Sequence, residues 1–153
     1  MKDCIFCEIV SGKRESARIW EDKKFLAILD GNPNVKGMTL VLTKDHYDSY
    51  VFDIEGGLYR EYMAAAKEVA RILEKGLKVK RVALVMEGLG VNHAHLKLYP
   101  IYGLGGKFVE TWAAEREYFE AYPGYISTRL GPRREAAELE KVAREIAEGN
   151  RGK

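Results

Sequence analysis

Glutamine is missing from this 153-residue chain, cysteine occurs twice and histidine three times. Two cysteines build no disulfide framework, and a bridge between Cys4 and Cys7 would close a very short loop. No apolar run reaches membrane-spanning length: Phe25-Leu26-Ala27-Ile28-Leu29 and Val82-Ala83-Leu84-Val85-Met86 are the size of strands. Charge of one sign is not in excess either. A formal net charge of +2 is too mild to argue for a nucleic-acid partner. Signal-peptide pattern, internal repeat and low-complexity linker are all missing. The expectation is a soluble cytoplasmic protein with neither membrane nor nucleic acid among its partners. Its length suits one domain that buries a real core. Charged residues make up 31%, which with the missing glutamine leans towards a thermophilic source.

What the chain does hold is concentrated in Val91-Asn92-His93-Ala94-His95-Leu96-Lys97-Leu98-Tyr99-Pro100. Polar and apolar residues alternate strictly there, the period of a half-buried strand whose side chains point to opposite faces. Ala94, Leu96 and Leu98 then face a core, and His93, His95 and Lys97 share the other face. From alternation alone that face is a solvent-facing polar stripe. Two imidazoles and an ammonium in a row can also receive a phosphate or hold a metal.

Cys4-Ile5-Phe6-Cys7 is half of a tetrahedral zinc site by spacing. A redox CxxC would open a helix after a strand, and nothing precedes this one. Completing the site requires histidine, and only His46, His93 and His95 are available.

Between these motifs, Ile19-Trp20-Glu21-Asp22 reads as a short strand into a hairpin, followed by a buried strand over Phe25–Leu29. Asp30-Gly31-Asn32-Pro33 has turn chemistry. A strand over Met38–Leu42 delivers His46 just beyond its end. Asp53 reads as the N-cap of a helix with Glu55 in its first turn. Leu58, Tyr62, Ala66, Val69 and Leu73 mark the buried face of that helix, which Gly76 ends near Glu74. A strand over Lys80–Val85 and the loop Glu87-Gly88-Leu89-Gly90 return the chain to the histidines. Gly88 and Gly90 allow backbone N–H groups to come close to a bound phosphate.

The ordered set (CxxC, Leu-Ala-Ile-Leu-Asp, Leu-Val-Leu-Thr-Lys-Asp-His, an amphipathic helix, then Gly-Val-Asn-His-Ala-His-Leu-Lys-Leu) resembles the histidine triad (HIT) superfamily over roughly residues 3–102. The resemblance implies an α+β, HIT-like fold: a five-stranded antiparallel sheet with helices, in a homodimer. It also implies a hydrolase or transferase acting at the α-phosphate of nucleotides through a nucleotidyl-histidine intermediate. Substrates of that type are dinucleoside polyphosphates, nucleoside phosphoramidates and nucleotidyl adducts. His95 matches the nucleophile. His93 matches the residue whose carbonyl fixes the nucleophile's tautomer. Asp30 matches the residue that bonds the ribose, with Ile28 and Leu29 flanking the nucleoside. In the zinc-bearing branch the ligands correspond to Cys4, Cys7, His46 and His93, and the zinc is structural.

Two positions depart from the family pattern. Lys97 stands where the third histidine belongs, and a protonated lysine could pair with a phosphate oxygen or donate to the leaving group. The Gly-Gln-Ser type segment is replaced around Leu89 and Gly90, leaving phosphate contacts to backbone N–H groups, as at Gly90, or to Asn92. Both departures motivate an alternative, a catalytically weak nucleotide-binding protein of the same fold.

The domain reading is a HIT domain with its CxxC over 1–105 and a helical extension over 106–153 packed on it. Thr111–Tyr122, with Trp112, Tyr118, Phe119 and Tyr122, reads as a helix with an aromatic side. Residues 125–132 read as a loop, and Ala136, Leu139, Val142, Ala143 and Ile146 mark a final amphipathic helix, with the tail from Gly149 to Lys153 fraying. A sharper reading has Trp112 or Tyr125 cover a base, with Arg129 or Arg133 near the distal phosphates.

Overall fold

The computed structural model describes residues 4–112, 118, 120–122 and 132–151. The order is α1 (Ile5–Val10), β1 (Arg18–Glu21), β2 (Phe25–Leu29), β3 (Thr39–Thr43), a 3₁₀ turn (Val51–Asp53), α2 (Gly56–Leu77), β4 (Arg81–Val85), β5 (His95–Ile101) and α3 (Ala136–Arg151). The strands form one antiparallel sheet in the order β1-β2-β3-β5-β4. Sequence and structure agree on an α+β sheet with helices.

Both faces of the sheet's centre are covered, which is why β2 reads as an unbroken apolar run, β3 carries Leu40-Val41-Leu42 between two threonines, and both are buried throughout. On one face Phe25, Ala27, Leu29, Val41, Leu96 and Leu98 pack with Tyr62, Val69 and Leu73 of α2. On the other, Leu26, Ile28, Leu40 and Leu42 receive Phe6 and Ile9 of α1. The stripe of His93, His95 and Lys97 lies on this second face and is buried at 0%, 3% and 6% exposure. A solvent-facing stripe is therefore the wrong description. Alternation reports which face a residue takes, and says nothing of what covers that face.

Helix α2 begins two residues later than its expected cap. Glu55 is the N-cap, its carboxylate accepting from the N–H groups of Gly57 (2.7 Å) and Leu58 (3.1 Å), while Asp53 sits in the preceding 3₁₀ turn. The helix also runs past Glu74 to Leu77 and stops at Lys78, whose φ of 56° is left-handed. Tyr62 ties the helix to the site. Its ring stacks on Phe25 at 4.9 Å, and its hydroxyl donates to the Val41 carbonyl (2.6 Å), with the Ala94 carbonyl at 3.1 Å.

Gly76 does not end α2; it lets α3 approach. A Cβ there would lie 2.5 Å from the Ile146 carbonyl oxygen, and one at Gly149 would lie 2.6 Å from that of Gly76. From Gly149 to Arg151 the chain is helical rather than frayed, and the rest of the tail lies outside the described residues. The helix continues to Arg151, and the Asn150 amide donates to the Ile72 carbonyl at 2.9 Å. Gly149→Val is expected to destabilise the fold by about 1–3 kcal/mol, the usual cost of forcing volume into a packed contact. Urea unfolding checks this, and an unchanged midpoint would show that the contact is slack.

The helix expected over Thr111–Tyr122 is not formed at its described residues. Thr111, Trp112, Tyr118 and residues 120–122 are irregular and exposed. Phe119, Tyr125 and Arg129 lie outside the described residues. Among the described residues no helix is long and apolar enough to cross a membrane.

Candidate metal centre and nucleotide site

Helix α1 places both cysteines against the histidines, with Cys4 at its N-cap and Cys7 on its first turn. Cys4, Cys7, His46 and His93 offer four donor atoms, all within 4.8 Å of one another. Cys4 Sγ lies 3.4 Å from His93 Nδ1, and Cys7 Sγ lies 3.4 Å from His46 Nδ1 and 3.5 Å from His93 Nδ1. A tetrahedral zinc ion with ordinary Zn–S and Zn–N bonds has S···N edges of about 3.5 Å, so the residues fit.

The protonation pattern fits too. His93 Nε2 lies 2.8 Å from the Thr43 carbonyl, which only accepts, so the proton is on Nε2 and the Nδ1 lone pair faces the cysteines. Burial holds His93 below the ordinary imidazole value, favouring the neutral form that binds metal. Burial and the neighbouring Cys4 push the Cys7 thiol up. Two adjacent thiolates repel, and a divalent cation between them removes that penalty.

His95 is held by its own strand segment. Its Nδ1 donates to the His93 carbonyl at 2.7 Å, which leaves the lone pair on Nε2. The edge of Phe6 packs on its ring at 5.3 Å. Burial lowers its pKa, the His93 carbonyl opposes that, and the charge of Lys97 lowers it further. The ring is a neutral imidazole with a fixed tautomer.

Lys97, across the sheet from Leu40 and Val85, donates to Glu87 Oε2 at 3.3 Å. Both side chains are almost enclosed, at 7% and 10% exposure. The loop that carries Glu87 is shaped by Gly88, whose φ is 72° and whose Cβ would meet the Ser49 carbonyl oxygen at 2.7 Å. Only glycine meets both demands.

Beyond Phe6 an open cavity of about 850 Å³ is lined by Ile9, Ile28, Asp30, Asn32, Leu40 and Val91, among others. Asp30 is buried, and its Oδ1 accepts from the Asn32 N–H at 2.7 Å, so it shapes the turn as well as the cavity. Leu29 borders the cavity but belongs to the cluster under α2. Gly90 is exposed. Asn92 is engaged elsewhere, its side chain accepting from the Ser49 N–H at 3.0 Å and donating to Asp48 at 2.9 Å. Arg133 lines the cavity on the Asp30 side, and the Arg134 N–H donates to the Gly31 carbonyl at 3.0 Å. Trp112 is 78% exposed and is not part of this wall.

Sequence reasoning missed Phe6, Thr43 and Glu87. Phe6 is one of two apolar residues inside the CxxC, the other being Ile5. Nothing in the sequence marks Glu87, because its partner stands ten residues further on.

Comparison with known proteins places these features in context. The HIT domain model matches residues 11–101. The chain is 32% identical over 124 residues to Protein hit of Bacillus subtilis, covering 78% of this chain and 85% of that one. A solved hypothetical histidine triad nucleotide-binding protein of Sulfolobus tokodaii superposes with a TM-score of 0.71 at 26% identity, covering 95% of this chain and 91% of that one. A Zn-bound histidine triad family protein of Mycobacterium smegmatis gives 0.66 at 27% identity, covering 96% and 92%.

Proposed function

The chain belongs to the HIT domain family, and on that premise we propose that it hydrolyses or transfers nucleotides at the α-phosphate through a nucleotidyl-His95 intermediate. The observation that carries this reading is the 2.7 Å bond from His95 Nδ1 to the His93 carbonyl. It leaves an unprotonated Nε2 on a buried face behind Phe6, whose ring packs on His95 and lines the cavity. Attack by that nitrogen in line on phosphorus expels the leaving group, and water then hydrolyses the phosphoramidate bond to His95. Two easier displacements replace one difficult one. The protein's remaining task is positioning and charge stabilisation. Lys97 supplies the charge, while Asp30, Ile28 and Leu29 take the nucleoside. Backbone N–H groups near Gly90 serve the phosphate better than Asn92, whose amide is already bonded.

Incubation with α-labelled dinucleoside polyphosphate and adenosine phosphoramidate, followed by a basic quench, tests the intermediate. Label on His95 together with released AMP is expected, and nucleotide bound without label or release would refute turnover. Lys97 in the third position is the specific observation behind that second reading, a binding protein without catalysis.

Zinc is the metal we assign to Cys4, Cys7, His46 and His93, and the Zn-bound relative supports the choice. Four protein ligands close the coordination, which makes the role structural. The same reading makes the protein a cytoplasmic homodimer, and β4 is an edge strand with no further strand beside it among the described residues.

Asp30→Ala is expected to raise KM for a ribonucleotide about 10- to 100-fold with little change in kcat, the cost of charge-assisted hydrogen bonds to ribose. Steady-state kinetics with ribo- and 2′-deoxy substrates check it. Equal KM values for the variant and wild-type proteins would remove Asp30 from the site.

A further inference from the structure

Helix α1 belongs to two sites at once. Cys4 at its N-cap and Cys7 in its first turn are half of the donor set assigned to zinc. Ile5, Phe6 and Ile9 of the same helix line the cavity of about 850 Å³. Resting on the reading of that cavity as the nucleotide site, we infer that zinc and nucleotide bind cooperatively, and that Phe6 is the positioning residue through which each strengthens the other.

Phe6 stands between the two cysteines in sequence, so the donor set holds its backbone from both sides. Its ring packs edge to face with that of His93, one of the donors, at 5.8 Å, and with that of His95 at 5.3 Å. The same ring lines the cavity. Ile9 is anchored differently. Arg18 Nη2 donates to the Ile9 carbonyl at 2.7 Å, and the Gly12 N–H donates to it at 3.1 Å. Arg18 begins β1, which pairs with β2. The far end of α1 is therefore tied to the sheet without any metal. Apart from apolar contact with Ile28 and Leu40, the Phe6 end is tied through the cysteines.

A helix of six residues does not persist unaided. Without zinc, Phe6 holds its place in the cavity wall in only a fraction of molecules, and apparent nucleotide affinity falls by that fraction. A nucleotide in the cavity gives Phe6 a surface to pack against. That contact favours the ordered helix, returns Cys4 and Cys7 to His46 and His93, and so tightens zinc. Equilibrium linkage makes the two effects the same factor. Neither ligand has to touch the other, because the ordering of one short helix is the step they share.

The test measures the Kd of AMP by titration calorimetry for zinc-loaded and zinc-stripped protein. Zinc affinity is measured in parallel by competition with a chromophoric chelator, with and without saturating AMP. Zinc removal is expected to raise the Kd of AMP at least about tenfold, and AMP to tighten zinc by the same factor. A tenfold change corresponds to an ordered Phe6 in about one zinc-free molecule in ten. Amide exchange at residues 5–10 reads that population directly, and AMP should restore protection there. Phe6→Ala is expected to bring the coupling factor close to one. Ile9→Ala should weaken AMP binding in both forms alike and leave the factor near its wild-type value, which separates coupling from a general loss of packing. Equal AMP affinity with and without zinc overturns the coupling and leaves the nucleotide reading standing. A wild-type factor in Phe6→Ala at full zinc content removes Phe6 as its carrier. AMP that binds neither form removes the nucleotide reading and the coupling with it. The wild-type comparison decides the coupling even if Phe6→Ala fails to fold.

Discussion

Replacing His95 with asparagine is expected to abolish nucleotide turnover, lowering kcat by at least about 10³-fold, the scale on which loss of a covalent nucleophile is felt. Asparagine is the informative substitution. The native ring is 3% exposed, donates to the His93 carbonyl and is capped by the edge of Phe6. Alanine would remove all three features together and open a hole in the second face of the sheet. An asparagine amide can still donate to the carbonyl and fill part of the space, but it cannot form a phosphoramidate bond. Loss of turnover and of covalent label, with metal content and melting close to wild type, assigns the chemistry to the imidazole itself. If His95→Asn kept turnover within about tenfold of wild type, the covalent route would be wrong.

The sheet was legible because its strands are apolar runs of strand length separated by turn residues. The family pattern added the five-stranded antiparallel sheet and pointed to His95 as the candidate nucleophile. What escaped was the layer over the histidine face. Helix α1 spans only Ile5–Val10, too short for helical periodicity to register and too short to persist unaided. Without it, His93, His95 and Lys97 read as a solvent stripe. Glu87 escaped for a related reason: a single acidic residue after an apolar strand reads as the start of a polar turn. Gly76 was taken for a helix stop, as glycine commonly is, because a glycine needed for close helix contact looks the same until its partner at Gly149 is placed. Asp53 and Glu55 show the limit of capping signals. Both are acidic residues ahead of the same helix, and only the geometry of the Gly57 and Leu58 N–H groups selects Glu55. Each miss concerns contacts between residues far apart in sequence.

Metal removal is expected to undo one side of the molecule before the other. The face under α2 is held by an extensive apolar cluster in which Tyr62, Val69, Leu73, Leu96 and Leu98 are almost fully buried, and none of these is among the donors. The opposite face depends on Phe6 and Ile9 from a six-residue helix whose two cysteines meet His46 and His93. Stripped of zinc, that helix keeps its small apolar contact but loses the cross-link that closes the long loops between residues 4 and 93. Purified protein should carry one zinc per chain. Chelation, or Cys7→Ala, should lower the melting midpoint by on the order of 10 °C, which is about 2.5–5 kcal/mol at the 2–4 °C per kcal/mol expected for a chain of this size. Amide exchange should accelerate first at residues 5–10, while α2 and the central strands stay protected. Turnover should fall as well, because the proposed zinc would hold the His93 ring, and the His93 carbonyl accepts from His95, the proposed nucleophile. A zinc-free protein that melts at the holo temperature, with residues 5–10 still protected, would show that Phe6 and Ile9 suffice to hold α1. The cluster of thiols and imidazoles would then need another explanation than a structural metal.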